Sequence, residues 1–514
     1  MQLTSVFYPF FFAATALLYF ALPRLQNAVL LAASLLFYWF NLPHGETVAL
    51  WRTALPLAVL GLSILFTFWL GRRIEAAKDA RKKKLVAAGV IVLISVLAFF
   101  KYANFVLPTL LGLTSLAKLG LPLGISFYTF ASIGYLVDVG RGKAKAEQNP
   151  VRWAVFVCFF GTITSGPICR AGKLLPQLAQ EHRFDYRRTT DALRLALVGF
   201  FKQIAVANVI GLAVNTVFES AANYSGAVLF VAALFYALQL YFEFSGYSDL
   251  ALASGALLGL ELPVNFQTPY FATNFSGFWN RWHMSLSGWL QDYLFLPLVW
   301  GGWQTKLPVI GKKWDTPPVM TSLFITFFIS GLWHGNTLPF VVWGILQGVY
   351  RIGEELLHKY YKKPKKRPGL ALRCFKTACV FLLWSASLVF FRLGLVADAT
   401  IGDCFGFFGR IFTEPSPGTL GKDLTALVAG SFYSNTIMVL GYFAFVVLVL
   451  AIAFLMDWRQ CFKMKNAHIS TAFVRLAAVP RWLLYWVLIT LTLVGLIMQS
   501  GGYGGNVSFA YANF

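Results

Sequence analysis

Two histidines stand in the chain where an ionisable side chain is costly. His334 lies in SGLWHGNTLPF, directly after the apolar run Val319–Trp333. As a helix that run rises only about 22 Å, short of a hydrocarbon core of about 30 Å. The basic stretch Lys306–Lys313 precedes it and marks the cytoplasmic side, so His334 is expected inside the membrane, toward its outer half. Gly331 and Gly335 bracket the histidine and Pro339 opens the next helix, so the chain should break there and face a cavity. Desolvation keeps an imidazole neutral, which suits a general base. The alternative is a structural histidine hydrogen-bonded to a neighbouring helix.

His283 occurs in NRWHMSLS, within the aromatic-rich segment Asn274–Pro297. The segment reads either as an amphipathic helix lying at the interface or as one folded back into the bundle. In the second case Asn280, Arg281, Trp282 and His283 would line the mouth of a pocket that accepts an anionic or carbonyl-bearing ligand. A third polar stretch, FEFSGYSDLA, carries Glu243, Tyr247 and Asp249 around a Ser-Gly-Tyr-Ser sequence that reads as a helix break. Its carboxylates could pair with basic residues such as Arg281. FSGYS is not a nucleophile elbow, and there is no Walker loop, HExxH, EF-hand loop or dinucleotide fingerprint. The six cysteines form no CxxC pair, and neither a disulfide framework nor a metal site is expected.

The elements that must hold these groups are membrane helices. Of 514 residues 58% are hydrophobic and 12% charged, about half the charge of an ordinary soluble domain. Lys and Arg number 43 against 21 acidic residues, but they gather in short loops beside apolar runs, as in Arg72–Lys84 and His358–Pro368. That is positive-inside patterning with an attraction to anionic headgroups, and not a nucleic-acid surface. Clear spans are Val6–Leu22, Asn27–Phe40, Thr53–Leu70, Leu85–Phe100, Lys376–Leu395, Asn435–Met456 and Trp482–Gln499. The N-terminus MQLTS has no basic leader, so Val6–Leu22 is taken as a span. Counting crossings from the basic loops puts both termini outside and Arg72–Lys84, His358–Arg373 and Trp458–Arg481 in the cytoplasm. Between Leu121 and Phe340 the apolar runs are short and Gly- and Pro-interrupted, as in Leu121–Asp138 and Phe159–Arg170. Such backbone is tolerated at membrane depth only when buried in protein or lining a wet cavity. The catalytic core is therefore expected over about 121–340, within one polytopic domain spanning 1–514.

FWNRWHMSLSGWLQDYLFLPL, followed by SGLWHG, resembles the membrane-bound O-acyltransferase family. KYANF, PLGISFYTFASIGYLVDVGRG, SGPICR, GFFKQIAVAN, YFEFSGYSDLALASGALLGLELPVNFQTPY and VFFR fit it in order. Within the family the chain is most similar to the bacterial membrane subunits that O-acetylate alginate and peptidoglycan, with the teichoic acid D-alanyl transferases as cousins sharing a similar WNRWHMSLS. The resemblance implies an all-α helical ring around a thin central region, with funnels from both faces. It also implies that His334 is the active-site histidine and His283 the second family histidine. The implied activity moves an acyl group from a cytoplasmic donor, acetyl-CoA, to an extracytoplasmic polysaccharide in the bacterial inner membrane, with an SGNH-type acetyltransferase as outer partner and no bound cofactor.

On that reading His334 is the base, while the backbone N–H groups at Gly335–Asn336 and the Asn336 side chain are candidates for the oxyanion hole. Asn280, Arg281 and His283 serve the donor's phosphates, and Trp282, Tyr247 and Asp249 complete the candidate binding set. The alternatives are D-alanyl transfer to teichoic acid and a non-enzymatic transporter or flippase, which has no need of a base. His334→Ala is expected to abolish transfer and leave the fold intact, on the premise that an imidazole at a helix break packs little surface.

Overall fold

The computed structural model describes residues 3–5, 7–42, 50–111, 120–300, 317–360, 369–396, 399–416, 436–464 and 467–500. Among them the secondary structure is helical, with no strand. The basic stretch Lys306–Lys313, most of the His358–Pro368 loop and the tail Gly501–Phe514 lie outside the described residues. Among the described residues seven helices are long and apolar enough to cross a bilayer, and eight if one bent pair is counted as a single span. Exposed Leu, Ile and Trp side chains on these helices, such as Leu65, Trp69, Ile91 and Trp486, are what a lipid-facing surface requires. The chain is an all-α, multi-pass membrane protein.

Two compact units divide the described chain. The first takes residues up to Ala196 and returns for Tyr247–Val264; the second takes Leu197–Gly246 and continues from Asn265.

The first unit opens with α1 (Tyr8–Ala21) and α2 (Gln26–Phe40), bent by 112°. Two separate spans were expected here; the helices have 14 and 15 residues, and only taken together do they have the length and apolar character of one, bent, span. Pro23 lacks an N–H and forces Leu22 out of helical geometry, to φ −121° and ψ 65°. Gln26, 4% exposed, then donates to the His182 carbonyl at 2.6 Å, which ties the start of α2 to protein. The helices α3 (Leu50–Ala76) and α4 (Asp79–Leu111) follow. The expected loop Arg72–Lys84 is almost entirely helix: apart from Lys78, which lies in the two-residue link, its basic residues are in the last turns of α3 and the first of α4. Next come α5 (Ile125–Gly140), α6 (Pro150–Cys158) and α7 (Ala171–Leu178). Between α6 and α7, Phe159–Ile168 is irregular and largely buried. Its backbone is satisfied inside the protein: the Phe160 N–H donates to Ser34 at 3.1 Å and the Ile163 N–H to Phe159 at 2.9 Å. Trp153, wholly buried, anchors this core by donating to the Ile64 carbonyl at 2.9 Å.

The central region departs from its interrupted texture. Helix α8 (Tyr186–Phe200) continues through a π-helical stretch, Phe201–Asn208, into α9 (Val209–Glu219), forming one apolar span of 34 residues. Within the second unit Gln499 steadies that stretch: its amide oxygen accepts from Asn208 at 2.8 Å and its NH2 donates to the Ile204 carbonyl at 3.1 Å. Helix α10 (Gly226–Leu258) runs unbroken through FEFSGYSDLA, where a break was expected. Gly246 explains the glycine there. A Cβ on it would lie 2.8 Å from the Gly199 oxygen and 2.9 Å from the Gln203 nitrogen, so only glycine admits this crossing. A mid-helix glycine costs roughly 1 kcal/mol against alanine, and here it admits the close approach.

Asn274–Pro297, expected as one helix, is broken once, into a short helix and a longer one that runs on through a π stretch to Trp300. The short one is α11 (Phe275–Trp279); after a turn at Asn280–His283, α12 (Met284–Leu290) continues through the π stretch Gln291–Phe295 into α13 (Leu296–Trp300). The remaining helices are α14 (Pro317–His334), α15 (Leu338–Tyr360), α16 (Leu370–Leu393), α17 (Ile401–Thr413), α18 (Thr436–Lys463), α19 (Ser470–Phe473) and α20 (Ala478–Ser500).

Candidate active site

Helix α14 stops at His334, as the Gly and Pro pattern foretells, and α15 begins four residues later. The two helices cross on glycine. A Cβ on Gly331 would lie 2.6 Å from the Phe340 oxygen and 3.0 Å from Gly344 Cα, and one on Gly344 would lie 2.6 Å from the Phe327 oxygen. Backbone-to-backbone contact of this kind draws His334 against the start of α15. Its side chain is 4% exposed. The ring meets Trp343 edge-on with centroids 5.0 Å apart and Phe391 edge-on at 4.9 Å, and Trp333 lies at 4.5 Å. Three helices thus build one apolar enclosure around the imidazole. The premise that this side chain packs little surface is corrected here: it fills an aromatic box, and truncating it would leave a hole.

His283 is held differently. It sits at φ +41° and ψ +52°, a left-handed backbone that costs about 1 kcal/mol or more for a residue with a Cβ. The extended segment before α11 stabilises it. The Gln267 N–H donates to the Arg281 carbonyl at 3.0 Å and the Met284 N–H to the Asn265 carbonyl at 2.9 Å, so the turn is pinned on both sides of His283. The Asn265 side-chain oxygen accepts from the Ser285 N–H at 3.2 Å and lies 3.4 Å from His283 Nδ1. An oxygen there assigns the ring hydrogen to Nδ1 and leaves the lone pair on Nε2. The ring is 1% exposed and packs edge-on against Phe244 at 4.7 Å. Burial pushes its pKa down to about 3, so the imidazole is neutral at physiological pH.

Both histidines border the aromatic core of the second unit. Trp282, next to His283, meets Trp384 at 5.0 Å; Trp384 lies 6.4 Å from Trp343; and Trp343 contacts His334. Trp384 is fixed by donating Nε1–H to the Tyr270 hydroxyl at 3.3 Å. The short helix α11 is tied to α15 through the Ser276 N–H, which donates to Glu354 at 2.8 Å. Phe275 also stacks on Tyr350 at 4.7 Å. Helix α15 therefore positions both sites.

The other expected residues are less uniform. Asn280 is exposed and Arg281 half-buried, with its guanidinium 3.7 Å from Cys461 Sγ. Asn336 is exposed while its neighbour His334 is buried. Tyr247 and Asp249, both buried, belong to the other unit, where the Tyr247 hydroxyl bonds Thr164 of the SGPICR region. Asn265, Trp343, Trp384 and Phe391 escaped the reading of the sequence as site residues. The only signal for Asn265 was an amide in the apolar segment LPVNFQTPY, and Phe391 lay unremarked in VFFR. Among the described residues no group of three His, Cys, Asp or Glu could hold a metal ion, and the six cysteines are free.

Known proteins share this arrangement of sequence. The probable alginate O-acetylase AlgI of Pseudomonas aeruginosa is 34% identical over 352 residues, 66% of this chain and 63% of that protein. The peptidoglycan O-acetyltransferase of Helicobacter pylori is 31% identical over 359 residues, 64% of each. The teichoic acid D-alanyltransferase of Bacillus subtilis is 32% identical over 257 residues, 48% of this chain and 62% of that protein. The chain spans a little under two thirds of the length of each of these relatives. The description of the MBOAT, membrane-bound O-acyltransferase family, matches residues 26–391, a stretch that includes both buried histidines and the aromatic core between them. The chain belongs to that family of O-acyltransferases.

Proposed function

We propose that the protein takes an acetyl group from acetyl-CoA on the cytoplasmic side of a bacterial inner membrane and delivers it for O-acetylation of an extracytoplasmic polysaccharide, alginate-like or peptidoglycan. The observation that carries this reading is the buried His334 at the α14–α15 break, enclosed by Trp333, Trp343 and Phe391. An apolar enclosure excludes water, which would otherwise hydrolyse a thioester. In the reaction His334 accepts the hydroxyl proton as the acceptor oxygen bonds to the thioester carbonyl carbon. Collapse of the tetrahedral intermediate breaks the C–S bond, and coenzyme A leaves as the thiol, taking the proton that His334 held. Backbone N–H groups at Gly335 and Asn336 are the proposed oxyanion donors. His283, Arg281 and Asn280 form the proposed donor side, where a guanidinium suits the phosphates of coenzyme A. Trp282 is proposed to wall that side, and Tyr247 and Asp249 to take part in substrate binding. An SGNH-type partner outside the membrane is the proposed relay to the polymer. Both termini are proposed to face outward, with the Arg72–Lys84 region and Trp458–Arg481 in the cytoplasm.

D-alanylation of teichoic acid is the second reading, supported by the similarity to a teichoic acid D-alanyltransferase. Proteoliposomes carrying the full chain separate the two. They are supplied with acetyl-CoA or a D-alanyl carrier protein, together with a short polysaccharide or polyol acceptor, and release of donor thiol is followed. Acceptor-dependent release of coenzyme A supports the acetyl reading. Release only from the D-alanyl donor replaces it with the second, and release from neither removes both.

A further inference from the structure

A cleft of about 800 Å³ lies within the second unit, between α10, α16 and α18; Tyr270, which fixes Trp384, is in its lining, but neither histidine nor any residue proposed above for catalysis or donor binding is. All three helices are apolar enough to span a bilayer. Its wall is carbon: Tyr241, Phe242, Tyr270, Phe381 and Leu450 line it. The Tyr270 hydroxyl is committed elsewhere, donating to the Ala237 carbonyl and accepting from Trp384, so the residue offers the cleft its ring. One end of the cleft has a different character. There α16 has just begun, at Leu370, and α18 is about to stop, at Lys463. Arg373, Asp457, Trp458 and Phe462 line this end, and the Arg373 guanidinium lies over the Phe462 ring at 5.8 Å. Of the charged residues Arg373 and Asp457 line the cleft, while Lys376, Arg459 and Lys463 lie on the same two helix ends outside the lining and make those ends basic, four to one. Trp458, 41% exposed, is the residue type that settles at headgroup depth.

A cleft that is apolar along the membrane spans and basic at the helix ends calls for one ligand class, an alkyl chain carrying an anionic head. We infer that this cleft binds an anionic glycerophospholipid of the surrounding membrane, with an acyl chain between α10, α16 and α18 and its phosphate at Arg373. The snorkelling arginine supplies the charge match, and the aromatic wall packs the chain. Bound there, the lipid clamps the cytoplasm-proximal ends expected of α16 and α18. Lipid binding in this cleft is separate from acyl transfer and is tested without measuring it.

The full chain, purified in a neutral detergent, is titrated with phosphatidylglycerol, phosphatidylcholine or inorganic phosphate while its melting temperature is recorded. Saturable stabilisation by phosphatidylglycerol alone is expected. Arg373→Gln should weaken the apparent affinity about fivefold, and Ala378→Trp or Ala451→Phe, which fill the cleft from opposite walls, should abolish the saturable response. The unaltered chain gives a second readout through Cys374, an exposed cysteine in the lining. Its alkylation, followed site by site by mass spectrometry, should slow as phosphatidylglycerol binds. Equal stabilisation by phosphatidylcholine, a response to inorganic phosphate alone, or an unchanged Cys374 alkylation rate at saturating phosphatidylglycerol would each overturn the inference.

Discussion

Replacing His334 separates a base from a packing residue, provided the substitution is chosen from the enclosure and not from habit. The side chain is 4% exposed and has ring neighbours at 4.5, 4.9 and 5.0 Å. Truncation to alanine empties a rigid aromatic box, and buried large-to-small substitutions cost about 2 to 5 kcal/mol. A loss of about 2 to 4 kcal/mol is therefore expected for His334→Ala, visible as lower yield and melting temperature, and any loss of activity in that variant is confounded. His334→Gln keeps most of the volume and a polar end, so its stability cost should stay near 1 kcal/mol. It cannot accept a proton at the working pH, so the rate should fall about 10²- to 10⁴-fold. The assay is acceptor-dependent thiol release in proteoliposomes, paired with thermal melting of the same preparations. Retention of more than about a tenth of the wild-type rate by a His334→Gln protein of normal stability would refute the base role and favour a transporter. A His334→Ala protein that melts like wild type would instead refute the tight enclosure.

Other outcomes follow from the same contacts. Gly331→Ala forces a Cβ to within 2.6 Å of the Phe340 oxygen, so α14 and α15 must part; destabilisation of about 1 to 3 kcal/mol is expected in a melting experiment. Asn265→Ala removes the acceptor of the buried Ser285 N–H and the partner of His283 Nδ1, and should cost about 1 to 3 kcal/mol with a fall in transfer rate that Asn265→Gln does not rescue. Burial holds His283 at about 3 against an ordinary value near 6.5, so between those pH values the unfolded chain binds a proton that the native one refuses. The stability contributed is full above about pH 6.5 and is lost on acidification at about 1.4 kcal/mol per pH unit. His283→Gln should flatten that slope in pH-dependent melting, and an unchanged slope would count against the neutral buried ring.

Much of the protein is settled by composition and local chemistry alone. With 12% charged residues a chain of this length has no soluble solution, and basic clusters beside apolar runs mark where helices end. The stop at His334 was equally legible, because glycine and proline act on the backbone within a turn or two and need no partner to do so. What local chemistry misjudged is wherever a distant surface overrides it. Gly246 reads as a break and is a contact, since the backbone at Gly199 and Gln203 presses where a side chain would stand. Pro23 bends the first pair by 112°, yet the tie from Gln26 to His182 spans 156 residues of chain. His283 reads as part of a helix, but its left-handed turn is held by Asn265, and the enclosure of His334 is closed by Trp343 and Phe391 from other helices. Propensity is summed over neighbours in sequence, whereas the packing of these two imidazoles is set by neighbours in space. Only the tertiary structure could supply those.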